Sequence, residues 1–437
     1  MLVIAINYSF KKEAFLKCLF FSKSLISFSN QKLFFVLNDL IQKLKKPVLI
    51  APLITFRLLF GALMMIGAIR FIANGWIEKL YLKPIFFFKY YGFEWIQPLD
   101  EFGMYTLFFA IAISAFGIMT GLFYRVATIV FFLTFSYAEL IDATNYLNHY
   151  YLVILLAFWL MFLPAHRAFS LDALINPKLK TAKIPAWTIQ VIILQLMIVY
   201  TFAGIAKLQS DWLFRAMPLS IWLPEHSDIP ILGYFFQFKI TAFAFSWIGA
   251  FYDLTVAYFL LFRRTRPIAY FVVVVFHLIT YLLFNIGLFP FIMISSTLIF
   301  FPADFHQKLL RPFGYQSPNQ TLPLWNNKIK NALLRPLLAV FFTIQILLPL
   351  RHFLYSGNVL WTEQGYRFSW RVMVLEKSGS AIFRIKDTID NKQIEVTNSD
   401  YLTPFQEKQM SIQPDFIIQF ANFLKKEYEE KYHFSNP

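Results

Sequence analysis

Lys207 stands at the end of an otherwise apolar segment, in the stretch YTFAGIAKLQSDW from Tyr200 to Trp212. An ionisable residue inside a membrane segment is costly and therefore indicates a functional site, and for an amine the expected chemistry is proton transfer. The alternative is a lysine that reaches the interface from one turn inside the helix end and only anchors the helix. The local sequence leaves both interpretations open.

Small residues accompany this lysine on one side of the predicted helix. At helical spacing, Tyr200, Ala203, Gly204 and Lys207 share a face. Two small side chains on that face allow another helix, or a flat ligand, to approach the backbone closely. The pattern predicts a contact surface next to the lysine.

Further polar residues are predicted at the same membrane level as Lys207. Asn148 and His149 begin one apolar segment at its outer end, and Tyr281 lies one turn outward from His277 in another. His277 follows the apolar run VVVVF, and an imidazole within a membrane needs a partner. His149 could instead be an interfacial histidine among tyrosines. The convergence of separate segments predicts a site near the outer surface.

The composition is that of a polytopic membrane protein. Hydrophobic residues make up 58% of the 437 residues and charged residues only 15%, against about 25% in ordinary soluble domains. The net charge of +15 comes from residues between the apolar segments, which indicates membrane topology and not nucleic-acid binding. The single Cys18 excludes an internal disulfide and any CxxC motif, and we expect no metal.

Nine apolar segments are long enough to span, or nearly span, a bilayer. The sequence therefore predicts an all-α polytopic membrane protein of about nine transmembrane helices, with a small extracytoplasmic α+β tail. The third and eighth segments are short for a full crossing and could be re-entrant. The predicted segments are 50–73, 103–123, 126–141, 149–164, 187–207, 240–262, 267–284, 286–301 and 332–350.

Loops rich in Lys and Arg alternate with poorer ones along this core. The positive-inside rule then places the N-terminus in the cytoplasm and the chain after about Arg351 outside it. We divide the chain into a basic amphipathic arm, 1–46, a transmembrane core, 47–350, and an extracytoplasmic domain, 351–437. In the last, AIFRIK and KQIEVT flank DTIDN and predict a β-hairpin, and PDFIIQFANFLKKEYEEKY predicts a closing amphipathic helix.

Five ordered stretches of the chain resemble the vitamin K-dependent γ-carboxylase family, whose membrane core is called the horizontally transferred transmembrane domain. The resemblance covers about residues 47 to 375, and the chain is similar to short bacterial-type members. The tail resembles only the start of the family's extracytoplasmic domain. The stretches are RLLFGALMMIGAIRFIANGWIEKLY, NHYYLVILLAFWLMFLPAHRAFSLDA, VYTFAGIAKLQSDW, FHLITYLLFNIGLFPFIMISSTLIFFP and GNVLWTEQGYRFSWRVM.

The resemblance implies roles for the residues already singled out. Lys207 matches the lysine that deprotonates vitamin K hydroquinone, a menaquinol-type quinol. His149, with the adjacent Asn148, matches a histidine of the carboxylation half of the reaction, and His277 matches one near the same pocket. We assign contact with the quinol to three residues, Tyr200, Gly204 and Tyr281.

The implied chemistry agrees with the predicted setting. Burial in an apolar pocket disfavours the ammonium form of a lysine and makes the amine a better base. The quinol anion would react with O2 through a strongly basic alkoxide to the epoxide, and the glutamate carbanion formed by that alkoxide would be trapped by CO2. A dry site protects both species from water.

The resemblance also implies partners and a location. We expect membrane lipid around the core, a protein or peptide glutamate substrate on the extracytoplasmic side and a separate quinone-epoxide reductase. The setting would be a bacterial inner membrane, with no nucleic acid.

Two other functions remain open on the sequence. The same scaffold could oxidise a quinol to its epoxide without carboxylating a protein. It could also be a non-enzymatic quinone-binding or transport protein, although the inverted repeats and paired Gly/Pro-broken helices of many transporters are not evident.

Overall fold

The computed structural model describes residues 42–284, 286–316, 328–387 and 393–432, together with Asp39. In the helix that begins at Lys328, side chains are described from Pro336 onward. Most of the basic arm predicted over residues 1–46, including Cys18, therefore lies outside the described residues.

Helices form nearly all of the described core. A short two-stranded sheet pairs residues just before the first helix with residues much later in the chain. The sheet pairs β1 (Pro47–Leu49) antiparallel with β2 (Lys183–Pro185). The helices, in chain order, are α1 (Ala51–Ala73), α2 (Glu101–Thr120), α3 (Tyr124–Leu140), α4 (Asn148–Leu160), α5 (Leu171–Ile175), α6 (Trp187–Ala206), α7 (Ser210–Arg215), α8 (Leu219–Trp222), α9 (Leu232–Phe236), α10 (Lys239–Leu261), α11 (Arg266–Leu283), α12 (Phe289–Thr297), α13 (Ala303–Leu310), α14 (Lys328–Leu350) and α15 (Val359–Thr362).

Six helices in the described part of the chain are long and apolar enough to cross a membrane, so the chain is a multi-pass membrane protein. The nine full-length crossings predicted from the sequence are not confirmed. The third predicted segment forms the 17 residues of α3, the fourth the 13 of α4 and the eighth the 9 of α12. Hydropathy counts apolar residues, whereas a helix also needs an unbroken backbone. Turns after Leu160 and at Gly287, whose φ is +61°, shorten α4 and α12.

Alternate ends of these helices meet at two separate levels. At one level, the Asp172 carboxylate accepts hydrogen bonds from the backbone N–H groups of Phe123 and Tyr124, at 2.8 and 3.0 Å. At the other level, the loops after α1 and α3 and the residue directly after α6 contact the C-terminal domain. There Gln406 donates to the Asp142 carboxylate at 2.7 Å. We call this second level the tail side.

The C-terminal domain has a small core of its own. It contains the hairpin β3 (Phe383–Lys386) and β4 (Gln393–Val396), then α16 (Pro404–Met410) and α17 (Pro414–Tyr432). The predicted hairpin and closing helix are therefore both present. Phe416 and Phe420 of α17 are fully buried, and Phe416 packs against Phe88 from the loop after α1 at 4.7 Å between ring centroids. This contact attaches the tail to the membrane core through aromatic burial.

Candidate active site

An apolar cavity, whose empty space is about 750 Å³ when its open mouth is included, lies between the membrane helices at the tail side. The walls come from α6, α10, α11 and α12, and the outer cover comes from α7, α8 and two residues of the C-terminal segment. The lining residues are Val199, Tyr200, Ala203, Lys207, Trp212, Leu219, Trp222, Phe245, Gly249, Asp253, Phe276, His277, Thr280, Phe284, Ile286, Phe289, Met293, Val372 and Met373.

A buried ion pair lies in this cavity wall. Lys207, directly after α6, places Nζ 2.7 Å from Oδ2 of Asp253 on α10, and the two side chains are 7% and 10% exposed. Nζ also donates to the carbonyl of Val372 at 3.4 Å and lies 5.2 Å from the centroid of the Trp212 ring. The lysine is therefore neither free nor reaching outward to solvent, which excludes a simple interfacial anchor.

A second polar contact lies further inside the cavity. The hydroxyl of Tyr200 on α6 lies 3.2 Å from Nε2 of His277 on α11, and 3.5 Å from the hydroxyl of Tyr252. All three side chains are buried. Within the described residues, Nδ1 of His277 has no hydrogen-bond partner. A polar atom left unpaired in an apolar wall is a suitable contact for a ligand hydroxyl or carbonyl.

The segment 371–373 joins two of the predicted site residues. The side-chain amide of Asn148, the first residue of α4, donates to the carbonyl of Arg371 at 3.2 Å. The next carbonyl, of Val372, accepts from Lys207. Residues far apart in the sequence are thus held on one short stretch of the C-terminal segment.

Two family models match this chain. The HTTM domain matches residues 45–305, which is more than half of the chain and includes Lys207 and His277. The vitamin K-dependent gamma-carboxylase lumenal domain matches residues 330–437. The chain belongs to the vitamin K-dependent gamma-carboxylase family. No solved structure matches it.

The family match extends the resemblance seen in the sequence. We expected the resemblance to end near residue 375, but the lumenal domain matches through Pro437. It therefore includes the hairpin and both helices of the tail. The segment 371–373, which covers the cavity, belongs to this gamma-carboxylase lumenal domain.

His149 lies beside the cavity and not in its wall. Its ring centroid is 5.6 Å from that of Phe289, which is in turn 5.5 Å from the ring of His277. Phe289 lines the cavity, so this one aromatic ring contacts both imidazoles. The two predicted histidines belong to the same region of the carboxylase fold, with a phenylalanine between them.

Two of the three predicted quinol contacts lie outside the cavity wall. A Cβ on Gly204 would meet the backbone nitrogen of Leu254 at 2.7 Å, so this glycine lets α10 approach α6. Tyr281 is 46% exposed and packs against Phe291. Only Tyr200 of the three lines the cavity. Helical spacing placed Gly204 on the correct helix, but it could not tell whether a helix or a ligand faces it.

Sequence reasoning missed Asp253. This residue stands in AFYDLTVAYF, within an apolar segment that we had already assigned to the membrane. The rule that drew attention to Lys207, that an ionisable residue in a membrane segment indicates function, applies equally here. The partner of Lys207 could therefore have been found from the sequence.

Proposed function

We propose that this chain is a vitamin K-dependent gamma-carboxylase-like enzyme, which couples oxidation of vitamin K hydroquinone to carboxylation of glutamate side chains. The observation that carries the proposal is the apolar cavity, in which Lys207 and Asp253 form an ion pair at the end covered by the segment 371–373. A quinol is flat and lipid-soluble, and a cavity among membrane helices can receive it from the bilayer.

The residues present fit such a quinol. The aromatic and aliphatic wall matches its ring system, and the unpaired Nδ1 of His277 and the Tyr200 hydroxyl are available to its polar groups. When bound, the quinol supplies, by oxidation with O2 to the epoxide, a base strong enough to remove a proton from the glutamate γ-carbon. The protein itself holds the quinol, removes its hydroxyl proton at the Lys207–Asp253 site, and keeps water out.

The position of the segment 371–373 is the reason to propose that the glutamate approaches the cavity from the tail side. Val372 and Met373 form the outer cover of the cavity, and Asn148 holds the preceding carbonyl. A glutamate side chain and CO2 arriving there would meet the quinol next to His149 and Asn148.

We propose that this side is extracytoplasmic and that the N-terminus is cytoplasmic. Reporter fusions at Leu49 and Pro437 should give opposite signals.

Product analysis tests the proposed reaction. Purified protein in lipid would receive vitamin K hydroquinone, O2, labelled bicarbonate and a peptide rich in glutamate. We expect both quinone epoxide and label in carboxyglutamate. Epoxide without carboxyglutamate would show an epoxidase that does not carboxylate the peptide. Absence of both products would contradict an enzymatic role with this quinol.

A further inference from the structure

A second cavity lies next to the first and shares α12 with it. Leu288, just before α12, and Ile292 line the second cavity, whereas Phe289 and Met293 line the first. The other walls of the second cavity come from α1 to α4, and its empty space is about 590 Å³ on the same measure. Most of its wall is aromatic or aliphatic.

Three side chains in the wall of the second cavity could bind a polar ligand. They are Arg70 near the end of α1, Glu139 near the end of α3 and Tyr150 near the start of α4. Within the described residues, none of the three side chains forms an ion pair or a hydrogen bond, and Nε of Arg70 is buried without a partner. Cζ of Arg70 lies 5.0 Å from the centroid of the Trp76 ring. Unpaired polar groups that converge on an apolar cavity indicate a ligand site.

We propose that the second cavity binds bicarbonate and dehydrates it to the CO2 used in carboxylation. Arg70 holds the anion, and Glu139 donates the proton that turns its hydroxyl group into water. This inference rests on the proposed function and adds a source for one of its co-substrates.

The three side chains match the groups of bicarbonate. An arginine stays protonated at any accessible pH, and its fork of N–H donors fits two oxygens of a carboxylate-type anion. An ionised Glu139 with no partner in this wall is costly, so the neutral acid, which has a proton to donate, is favoured. The Tyr150 hydroxyl supplies another donor. With an arginine cation, a neutral acid and a bound anion, the site carries no net charge.

The position of the second cavity suits delivery of CO2 to the carboxylation site. Tyr150 directly follows His149, and their ring centroids are 4.5 Å apart. His149 is also within electrostatic range of Arg70, and it packs against Phe289 of the first cavity. CO2 is small and apolar and can cross an aromatic boundary, whereas the bicarbonate anion would lose its polar contacts there.

The proposed step balances in atoms and charge. The bond between carbon and the hydroxyl oxygen of bicarbonate breaks, and its electron pair stays on that oxygen. The anionic oxygen forms a second double bond to carbon, which gives CO2. The hydroxyl oxygen takes the Glu139 proton and leaves as water, and the new carboxylate is balanced by Arg70. Carboxylation of one glutamate leaves one proton over and dehydration of one bicarbonate consumes one, so the two reactions together release none.

Isotope exchange tests this step without the quinol. Bicarbonate labelled with ¹³C and ¹⁸O loses ¹⁸O to water through cycles of dehydration and rehydration, and membrane-inlet mass spectrometry follows the loss. Purified protein in lipid vesicles receives labelled bicarbonate but no quinol and no peptide. We expect the wild type to accelerate the loss of ¹⁸O above the spontaneous rate in protein-free vesicles.

Substitutions in the second cavity assign this activity to its residues. Glu139→Gln keeps the shape of the side chain but has no acid proton, and it should lower the acceleration by about 10²-fold or more. Arg70→Gln should lower it because the anion loses its counter-charge, and Arg70→Lys should retain part of it. The control is Glu78→Gln, which removes an exposed ion pair with Lys83 at 3.2 Å and does not line the cavity. Its rate of exchange should equal that of the wild type.

Two results would overturn the inference. One is a wild type that exchanges ¹⁸O at the spontaneous rate, which needs no variant, and the other is undiminished acceleration in a folded Glu139→Gln or Arg70→Gln protein. Exchange by a protein that forms no carboxyglutamate would contradict the proposed function and leave the bicarbonate site standing. Carboxyglutamate formed from dissolved CO2 by a protein that shows no exchange would do the reverse.

Discussion

The side-chain amide of Asn148 donates a hydrogen bond to the backbone carbonyl of Arg371 at 3.2 Å, across 223 residues of sequence. This bond connects the start of α4 to the segment 371–373, which covers the cavity. The same amide group accepts from the Tyr146 hydroxyl at 3.0 Å. Asn148 therefore fixes the position of the cover and does not itself line the cavity.

Asn148→Ala should impair carboxylation more than epoxidation. Losing these hydrogen bonds costs about 1 kcal/mol each and loosens the segment that would admit the glutamate. The ratio of carboxyglutamate to epoxide measures the effect. Asn358→Ala, which removes a helix cap elsewhere in the tail, is the control and should leave the ratio unchanged. An unchanged ratio in Asn148→Ala would refute this positioning role.

Lys207→Ala should lower quinol epoxidation by about 10²-fold or more, the size expected for loss of an acid–base group. The variant also leaves the Asp253 carboxylate without its counter-ion, so folding must be checked by thermal unfolding. A small primary amine added to the assay should restore part of the rate because it can occupy the vacated ammonium position. Full activity of the folded alanine variant would contradict a catalytic role for Lys207.

Tyr200→Phe should weaken quinol turnover by about fivefold, corresponding to one hydrogen bond of about 1 kcal/mol. The hydroxyl lies 3.2 Å from Nε2 of His277, so its loss frees that ring to turn. Tyr270→Phe is a matched control, because the Tyr270 hydroxyl donates to the Ile294 carbonyl at the same distance but does not line the cavity. Equal rates for both variants would argue against a role for the Tyr200–His277 contact.

Gly204→Ala should destabilise the membrane core by about 1–3 kcal/mol, the usual cost of overpacking. The added Cβ would come within 2.7 Å of the Leu254 backbone nitrogen, so α6 and α10 would have to separate. Gly249→Ala on α10 is the control, since its Cβ would be 3.6 Å from Trp212, an ordinary contact. Thermal unfolding in detergent compares the two variants. A Tm for Gly249→Ala below that of Gly204→Ala would contradict this packing.

Gln406→Ala should loosen the tail from the membrane core. Its side-chain amide donates to the Phe86 carbonyl at 2.8 Å and to the Asp142 carboxylate at 2.7 Å, and Asp142 is buried. Leaving a buried acceptor unsatisfied costs about 1–3 kcal/mol, more for a charged one. Faster amide exchange in α16 and α17 would show the effect. Unaltered exchange would mean that aromatic packing alone holds the tail.

Much of the architecture could be predicted from the sequence because hydropathy and turn residues act locally. Long apolar runs gave α1, α2, α6, α10 and α11 within a few residues. The hairpin at β3 and β4 followed from two alternating strands around a turn. The nine predicted crossings are not confirmed where short runs such as α4 and α12 end at turns, since total apolarity does not reveal where a helix stops.

The sequence by itself predicted that an amine, two imidazoles and an asparagine lie at one membrane level, because each position follows from its place along an apolar segment. Only the tertiary structure decided which of them meet. Helix packing put Asp253 against Lys207, turned Gly204 toward Leu254 and not toward the cavity, and set Phe289 between His149 and His277. The rotation of each helix about its axis depends on side chains of its neighbours, and this information is not present in the periodicity of any single segment.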